Sequence, residues 1–195
     1  SDVCSSDLIC TQNPTAGEEF RRGWHPEHHT RAANADSEVL IVGAGPAGLE
    51  CAHVLGKRGL RKVYLADAER EVGGALRLSS RLPGQHEWAR VIAYRQGQIK
   101  KLPNVELALG NRLSTDDIMA LGIETVIVAT GSNWAGDGLN HLTHAPIPGA
   151  SAATDPIVFT PDQVMAGGKP IAAGKVVIYD TDGYFMAAVL AEKLT

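Results

Sequence analysis

Cysteine is scarce in this chain: three residues, at positions 4, 10 and 51, out of 195. So few thiols, so unevenly spaced, cannot staple a disulfide scaffold, and the scarcity points to a reducing compartment and a cytoplasmic protein. Aromatic residues are few as well, at 5%. Long apolar runs are missing, and none approaches the roughly 20 residues of a spanning helix, so the sequence reads as soluble, with no membrane role. Neither sign of charge dominates. A net charge of -4 and a pI near 6.0 leave no basic footprint for nucleic acid or anionic lipid. What the chain has in quantity is hydrophobic residues, 44%, and glycine, 21 residues. That is enough to bury a core in one domain or one and a fraction.

Residues 1–8, SDVCSSDL, have neither the basic start nor the apolar stretch of a signal peptide. They match the translation of a widely used sequencing-library adapter, so they are expected to be a non-native tail in which Cys4 carries no argument. At the other end AAVLAEKLT stops inside an apolar-periodic helix without a C-cap glycine. The expectation is a fragment of a longer protein.

Between these ends strand and helix signals alternate. EVLIV (38–42) is a run of branched residues bounded by polar and glycine residues, and PAGLECAHVLGKRG follows it with apolar Leu49, Ala52, Val54 and Leu55 at helical spacing. KVYLAD (62–67) predicts a second strand, HEWARVIAYRQGQIKKL (86–102) a helix, VELAL (105–109) a strand and ETVIVAT (124–130) a buried strand. Thr160 and Gln163 have capping-box spacing, with Pro161 at the first helical position, and KVVIY (175–179) reads as another strand. Strands separated by helices imply an α/β fold with a mostly parallel sheet. The Pro-, Ala- and Gly-rich stretch 145–174 reads as a crossing between two units.

The chemistry concentrates at VGAGPAG, where Gly43, Gly45 and Gly48 form G-x-G-x-x-G directly after a strand and at a helix start. The first glycine permits the tight turn, the second admits a pyrophosphate to the backbone, and the third lets helix and sheet pack closely. Free amides and the positive end of the helix dipole then receive the phosphates. Asp67 ends the second strand about 20 residues on, where an acid would bond the adenosine ribose hydroxyls and repel a 2′-phosphate.

Further along, EREVGG (69–74) sets a glycine pair after the second strand, VIVATG ends a strand in Thr130 and Gly131, and PIPG follows at 146–149. This order resembles the flavoproteins with two dinucleotide domains, glutathione reductase and the dienoyl-CoA reductases among them, and implies a Rossmann-like FAD/NAD(P)-binding domain. In that family a second glycine loop binds the nicotinamide nucleotide. Here, laying VVIYDTDGYFMAAVLAEKL on VLIVGAGPAGLECAHVL puts Asp180, Asp182 and Phe185 where the three glycines would stand. Each carboxylate about 5 Å from a phosphate charge costs about 3 kcal/mol at an effective dielectric of about 20. The second unit is therefore expected to refuse the nucleotide.

Three segments, ICTQNPTAGEEFRRGWHPE (9–27), GSNWAGDGLNHLTHAPIPGA (131–150) and DTDGYFMAAVLAEKL (180–194), resemble the trimethylamine and dimethylamine dehydrogenases, over essentially residues 9–195. The resemblance implies an N-terminal barrel bearing FMN, a [4Fe-4S] cluster, and two C-terminal nucleotide-type domains. It also implies electron delivery to an electron-transferring flavoprotein and a homodimer when intact. Carried over residue by residue, Cys10 matches the last cluster ligand, and such a cluster needs four thiolates. Gly43, Ala44, Gly45, Pro46, Ala47, Gly48, Asp67, Ala68, Gly74, Thr130 and Gly131 match the adenine-nucleotide site, which holds ADP in these enzymes and FAD in the dienoyl-CoA reductase relatives. No residue here matches an FMN site or an amine pocket, so no catalytic residue is assigned.

The remaining candidates have plainer readings. His25, His28 and His29 lack a complementary ligand set and read as surface linker. Arg21, Arg22 and Trp24 read as a linker between domains, Trp88 and Tyr94 as packing, and His53 as structural. The expected organisation is a non-native tail (1–8), a linker carrying Cys10 (9–36), an adenine-nucleotide domain (37–150), a crossing (151–174) and the start of a degenerate second domain (175–195). Two alternatives stay open: an FAD-dependent NAD(P)H oxidoreductase of the dienoyl-CoA reductase type, and a non-catalytic nucleotide-binding module.

Overall fold

A computed structural model describes residues 10, 12–25, 28–140 and 142–195; the tail expected at 1–8 lies outside the described residues. The elements in chain order are α1 (Glu19–Arg22), β1 (Glu38–Val42), α2 (Pro46–Lys57), β2 (Lys62–Asp67), α3 (Leu76–Ser79), α4 (Trp88–Ile99), β3 (Val105–Leu109), α5 (Thr115–Ala120), β4 (Thr125–Val128), β5 (Leu139–Asn140), β6 (Ala145–Pro146), α6 (Pro161–Ala166) and α7 (Phe185–Leu194). They fall into two compact units, Ser1–Gly74 with Arg90–Thr130, and Ala75–Ala89 with Gly131–Thr195. The stretch expected as one nucleotide domain, 37–150, contributes to both.

The first unit is a parallel four-stranded sheet in the order β3-β2-β1-β4. Its centre is β1, whose Val39, Leu40 and Ile41 are 3% exposed or less, because a parallel strand covered on both faces must be apolar along its whole length. Leu49 and Ala52 of α2 pack on it, joined in one core by Val63, Leu65 and Ile99. Each buried aliphatic side chain there contributes about 1.5–3 kcal/mol. Gly56 brings α2 close to its neighbours: a Cβ there would sit 2.6 Å from Val105 and 2.8 Å from Leu102 side-chain atoms. Asn104 staples the turn after α2, its amide donating to the carbonyls of Gly56 and Leu60 at 3.0 and 2.8 Å.

β4 corrects an expectation. The ETVIVAT segment forms a strand only over Thr125–Val128, and it is an edge strand with a half-open face, not a buried one. Val128 is 71% exposed, since β4 pairs with β1 on one side and with no described strand on the other.

The second unit holds the β5–β6 antiparallel pair and a small core of Leu82, Met165, Val189 and Leu190. The capping box at Thr160 forms as its spacing predicts: the hydroxyl accepts from the Gln163 N–H at 3.3 Å, and Gln163 Oε1 accepts from the Thr160 N–H at 3.0 Å. Gly167, at φ 68°, ends α6. The stretch read as a crossing thus contains a strand and a helix. By contrast, KVVIY (175–179) forms no strand. A strand exists by its ladder, and among the described residues none pairs with this segment, which leaves Val177 81% exposed. Among the described residues no helix is long and apolar enough to cross a membrane.

Candidate functional site

The chain leaves β1 to pair on one side with β2 and on the other with β4, so the sheet reverses direction of growth between β1 and β4. Open α/β sheets bind ligands at the carboxyl ends of the strands flanking such a point. Gly43 sits there, at φ 109°. A Cβ on it would run into the carbonyl of Ala129 and press on the Thr130 nitrogen, so the turn closes against the end of β4 only because residue 43 is glycine. Gly48 is constrained in the same way, since a Cβ there would strike the Gly43 carbonyl.

Gly45 is different. Its φ is -71°, open to any residue, and a Cβ would meet only the Cα of Gly74 at 4.0 Å, an ordinary contact. Among the described residues nothing requires glycine at 45. As the N-cap of α2 it supplies no side-chain cap, Pro46 follows at the first helical position, and the first turn holds no acid. The helix therefore begins with unanswered amides and a positive dipole end facing a backbone stripped of side chains, which is a receptor for an anion.

The neighbouring loops brace this turn. The Gly43 N–H donates to the Ala66 carbonyl at 2.7 Å and the Gly73 N–H to the Ala44 carbonyl at 2.8 Å. Asp67 ends β2 half-buried, one carboxylate oxygen accepting from the Ala44 N–H at 2.5 Å and the other from the Glu69 N–H at 2.8 Å. Gly74, at φ 52°, lies against Gly45, and a Cβ on it would stand 3.0 Å from the Gly45 Cα. Ala68, Pro46 and Ala47 are exposed around the same turn. The structure thus gathers Gly43 to Gly48, Asp67, Gly74 and the backbone of Thr130. Gly131 belongs to the second unit and is exposed there at φ 75°.

The turn before α7 looks alike in sequence position and differs in chemistry. Asp180 Oδ1 accepts from the backbone N–H groups of both Asp182 and Gly183, at 3.0 Å each. These are donors of the kind a phosphate would engage, and the chain answers them with its own carboxylate.

Sequence reading missed a charged group on the outer side of α2. Arg95, 6% exposed on α4, pairs through Nε with Glu50 Oε2 at 2.5 Å. His53, 7% exposed, stands 3.9 Å from the same oxygen, and its Nδ1 has no hydrogen-bond partner. Burial above all, then the positive charges of Arg95 and Lys57, lowers its pKa to about 4. Burial also raises Glu50, against the opposing pull of Arg95. Glu50, His53 and Lys57 recur at i, i+3 and i+7 along α2, a polar stripe legible in the sequence. This group lines a hollow of about 440 Å³ that Cys10 also enters, apart from the glycine turn.

Residues 37–176 match the family described as pyridine nucleotide-disulphide oxidoreductase. The chain belongs to that family. Among sequence relatives it is similar to the dimethylamine dehydrogenase of Hyphomicrobium sp. (strain x), 48% identical over 95% of this chain and 25% of that protein. Among solved structures it is similar to the 6-hydroxypseudooxynicotine amine oxidase of Pseudomonas geniculata N1, with TM-score 0.88 and 46% identity over 96% of this chain and 27% of that one. It is also similar to histamine dehydrogenase from Rhizobium sp. 4-9, with TM-score 0.84 and 44% identity over 94% of this chain and 26% of that one. The chain spans about a quarter of the length of these relatives. The likeness to the amine dehydrogenases read from three segments is therefore shown along nearly the whole chain.

In this member of the pyridine nucleotide-disulphide oxidoreductase family the other candidates sit as follows. Cys10 is exposed, and among the described residues no group of three or more His, Cys, Asp or Glu could hold a metal ion. His25 and His28 stack their rings 5.1 Å apart at the surface. Arg21 is engaged by Glu18, and Trp24 is 78% exposed. The Trp88 indole donates to Gln85 Oε1 at 3.0 Å, while Tyr94, 57% exposed, lies under Arg95.

Proposed function

We propose that the glycine turn after β1 binds the diphosphate of an adenine nucleotide, ADP or the ADP half of FAD. Asp67 and Ala68 would meet the ribose, and Gly74 and Thr130 would complete the site. The observation that carries this reading is Gly45. Gly43 and Gly48 are explained by the protein's own packing and Gly45 is not, so its missing side chain is explained by something approaching from outside. The residues fit the group: free amides at the start of α2, no acid in its first turn, and a Cβ-free approach.

The wider reading is that the chain is the nucleotide-domain portion of an iron–sulfur flavoprotein amine dehydrogenase, a cytoplasmic homodimer that passes electrons to an electron-transferring flavoprotein. The 48% identity to a dimethylamine dehydrogenase supports it. In that protein Cys10 would supply one thiolate of a [4Fe-4S] cluster, whose chemistry when bound is one-electron transfer. Cys10 is exposed and its thiol is free, as a ligand to a further group would have to be. FMN and the amine would be held elsewhere, and this segment would anchor a nucleotide without performing the reaction. The competing reading, an NAD(P)H oxidoreductase of the dienoyl-CoA reductase type, would need a nicotinamide nucleotide at α7, where Asp180 already occupies the amides.

Calorimetric titration of ADP into the complete protein tests the nucleotide site. Saturable binding is expected, weakened at least about tenfold, or about 1.4 kcal/mol, by Gly45→Ala. A protein that neither binds ADP nor releases an adenine nucleotide on denaturation would rule the site out. Release of FAD instead of ADP would transfer the same turn to the flavin reading.

A further inference from the structure

The glycine turn follows β1, and Asp67 ends β2, one strand farther from β4. Neighbouring strands lie about 4.8 Å apart, so a nucleotide with its diphosphate at the first and its ribose at the second carries its base onward to the end of β3, about 10 Å from the turn. Leu109, the last residue of β3, is the register partner of Asp67. A ledge is built there. The Gly110 N–H donates to the Glu69 carbonyl at 2.8 Å and the Asn111 N–H to the Asp67 carbonyl at 2.9 Å, which ties the loop after β2 to the loop after β3. Asn111 spends its side-chain amide on the Leu109 carbonyl at 3.1 Å. Arg70 runs along this ledge: a Cβ on Gly110, at φ 75°, would stand 3.4 Å from Arg70 Cγ, so the stem rests where a side chain is missing. Arg70 is exposed, and among the described residues no acid is paired with its guanidinium.

We propose that Arg70 is the base-binding residue of the nucleotide site, its guanidinium stacking on the face of the adenine ring. This rests on the reading of the glycine turn as a diphosphate site. A guanidinium is planar and weakly hydrated and stacks on aromatic faces, whereas an ammonium is a compact, strongly hydrated point charge. A stem already resting against Gly110 loses less rotamer freedom when the ring arrives. Asp67, three residues away, holds its two carboxylate oxygens on the N–H groups of Ala44 and Glu69, which leaves the guanidinium of Arg70 to the ligand. The base is then gripped by its flat face, and the plane of the side chain matters more than its charge.

The test is calorimetric titration of ADP into the complete protein, freed of any bound nucleotide, with three substitutions that separate a stack from a charge. Arg70 is exposed, so all three should keep the wild-type denaturant midpoint. Arg70→Ala is expected to bind ADP about tenfold more weakly, the scale of one base stack. Arg70→Lys keeps the charge and loses the plane, and should be as weak as Arg70→Ala. Arg70→Tyr keeps a plane and loses the charge, and should stay within about threefold of wild type. Wild-type affinity in Arg70→Lys, or a loss in Arg70→Tyr equal to that in Arg70→Ala, overturns the stack. Wild-type affinity in Arg70→Ala overturns it too and, with Gly45→Ala still weakened, leaves the diphosphate site standing. A wild-type protein that neither binds ADP nor releases an adenine nucleotide removes the site and the stack together.

Discussion

Gly43 and Gly45 are two residues apart and answer to different forces. Gly43 is held by a left-handed φ and by the Ala129 carbonyl, so Gly43→Ala should cost upwards of about 3 kcal/mol of stability, read as a lowered denaturant midpoint. Gly45→Ala should leave that midpoint within about 0.5 kcal/mol of wild type, its effect confined to ADP affinity. Asp67→Ala removes a carboxylate that accepts from Ala44 and Glu69, and ADP should bind about 1–3 kcal/mol more weakly by calorimetry. Unchanged affinity would exclude the ribose role. His53 sets a pH signature. Its folded pKa is about 4 against 6.5 for the free group, so between those values the unfolded chain binds more protons and stability falls as pH drops. Glu50, raised in the folded state, works in the opposite direction. Denaturant melts of His53→Gln should therefore lose the decline that wild type shows from pH 6.5 toward 4.

At the scale of elements, α2 and α4 are joined by the Arg95–Glu50 pair. Removing one partner strands the other charge, so Arg95→Met should destabilise by about 3 kcal/mol, and adding Glu50→Gln should recover most of the loss. The elements themselves were largely legible. EVLIV, KVYLAD and VELAL become strands with their expected bounds because branched runs between turn residues have few other uses. The Thr160 box was readable because caps are local. What could not be read was whatever depends on neighbours. KVVIY has the composition of a strand and no ladder, and ETVIVAT, apolar enough to be central, lies at an edge. The glycine turn was visible as a motif, yet what sets Gly43 apart from Gly45 is the carbonyl of Ala129, far along the chain on the neighbouring strand end, and no local pattern contains it. The Arg95–Glu50–His53 group was hidden for the same reason, although the polar stripe along α2 was a signal available to be weighed.

For the whole molecule, each unit has a turn that opens a helix, α2 in one and α7 in the other, with opposite chemistry at the two turns. The complete protein should take up ADP and ignore NADH: titration with NADH, followed by its fluorescence, should give no saturable binding, and a nicotinamide nucleotide bound at Asp180–Phe185 would refute the division. In Asp180→Gly the amides of residues 182 and 183 lose their acceptor, which is the change needed before any free phosphate could compete for them. A carboxylate tethered two and three residues from the donors it satisfies acts at an effective concentration of about millimolar or above. Dissolved dinucleotide would enter that contest as the weaker competitor, and this tether is why NADH is expected to leave the second unit's turn unoccupied.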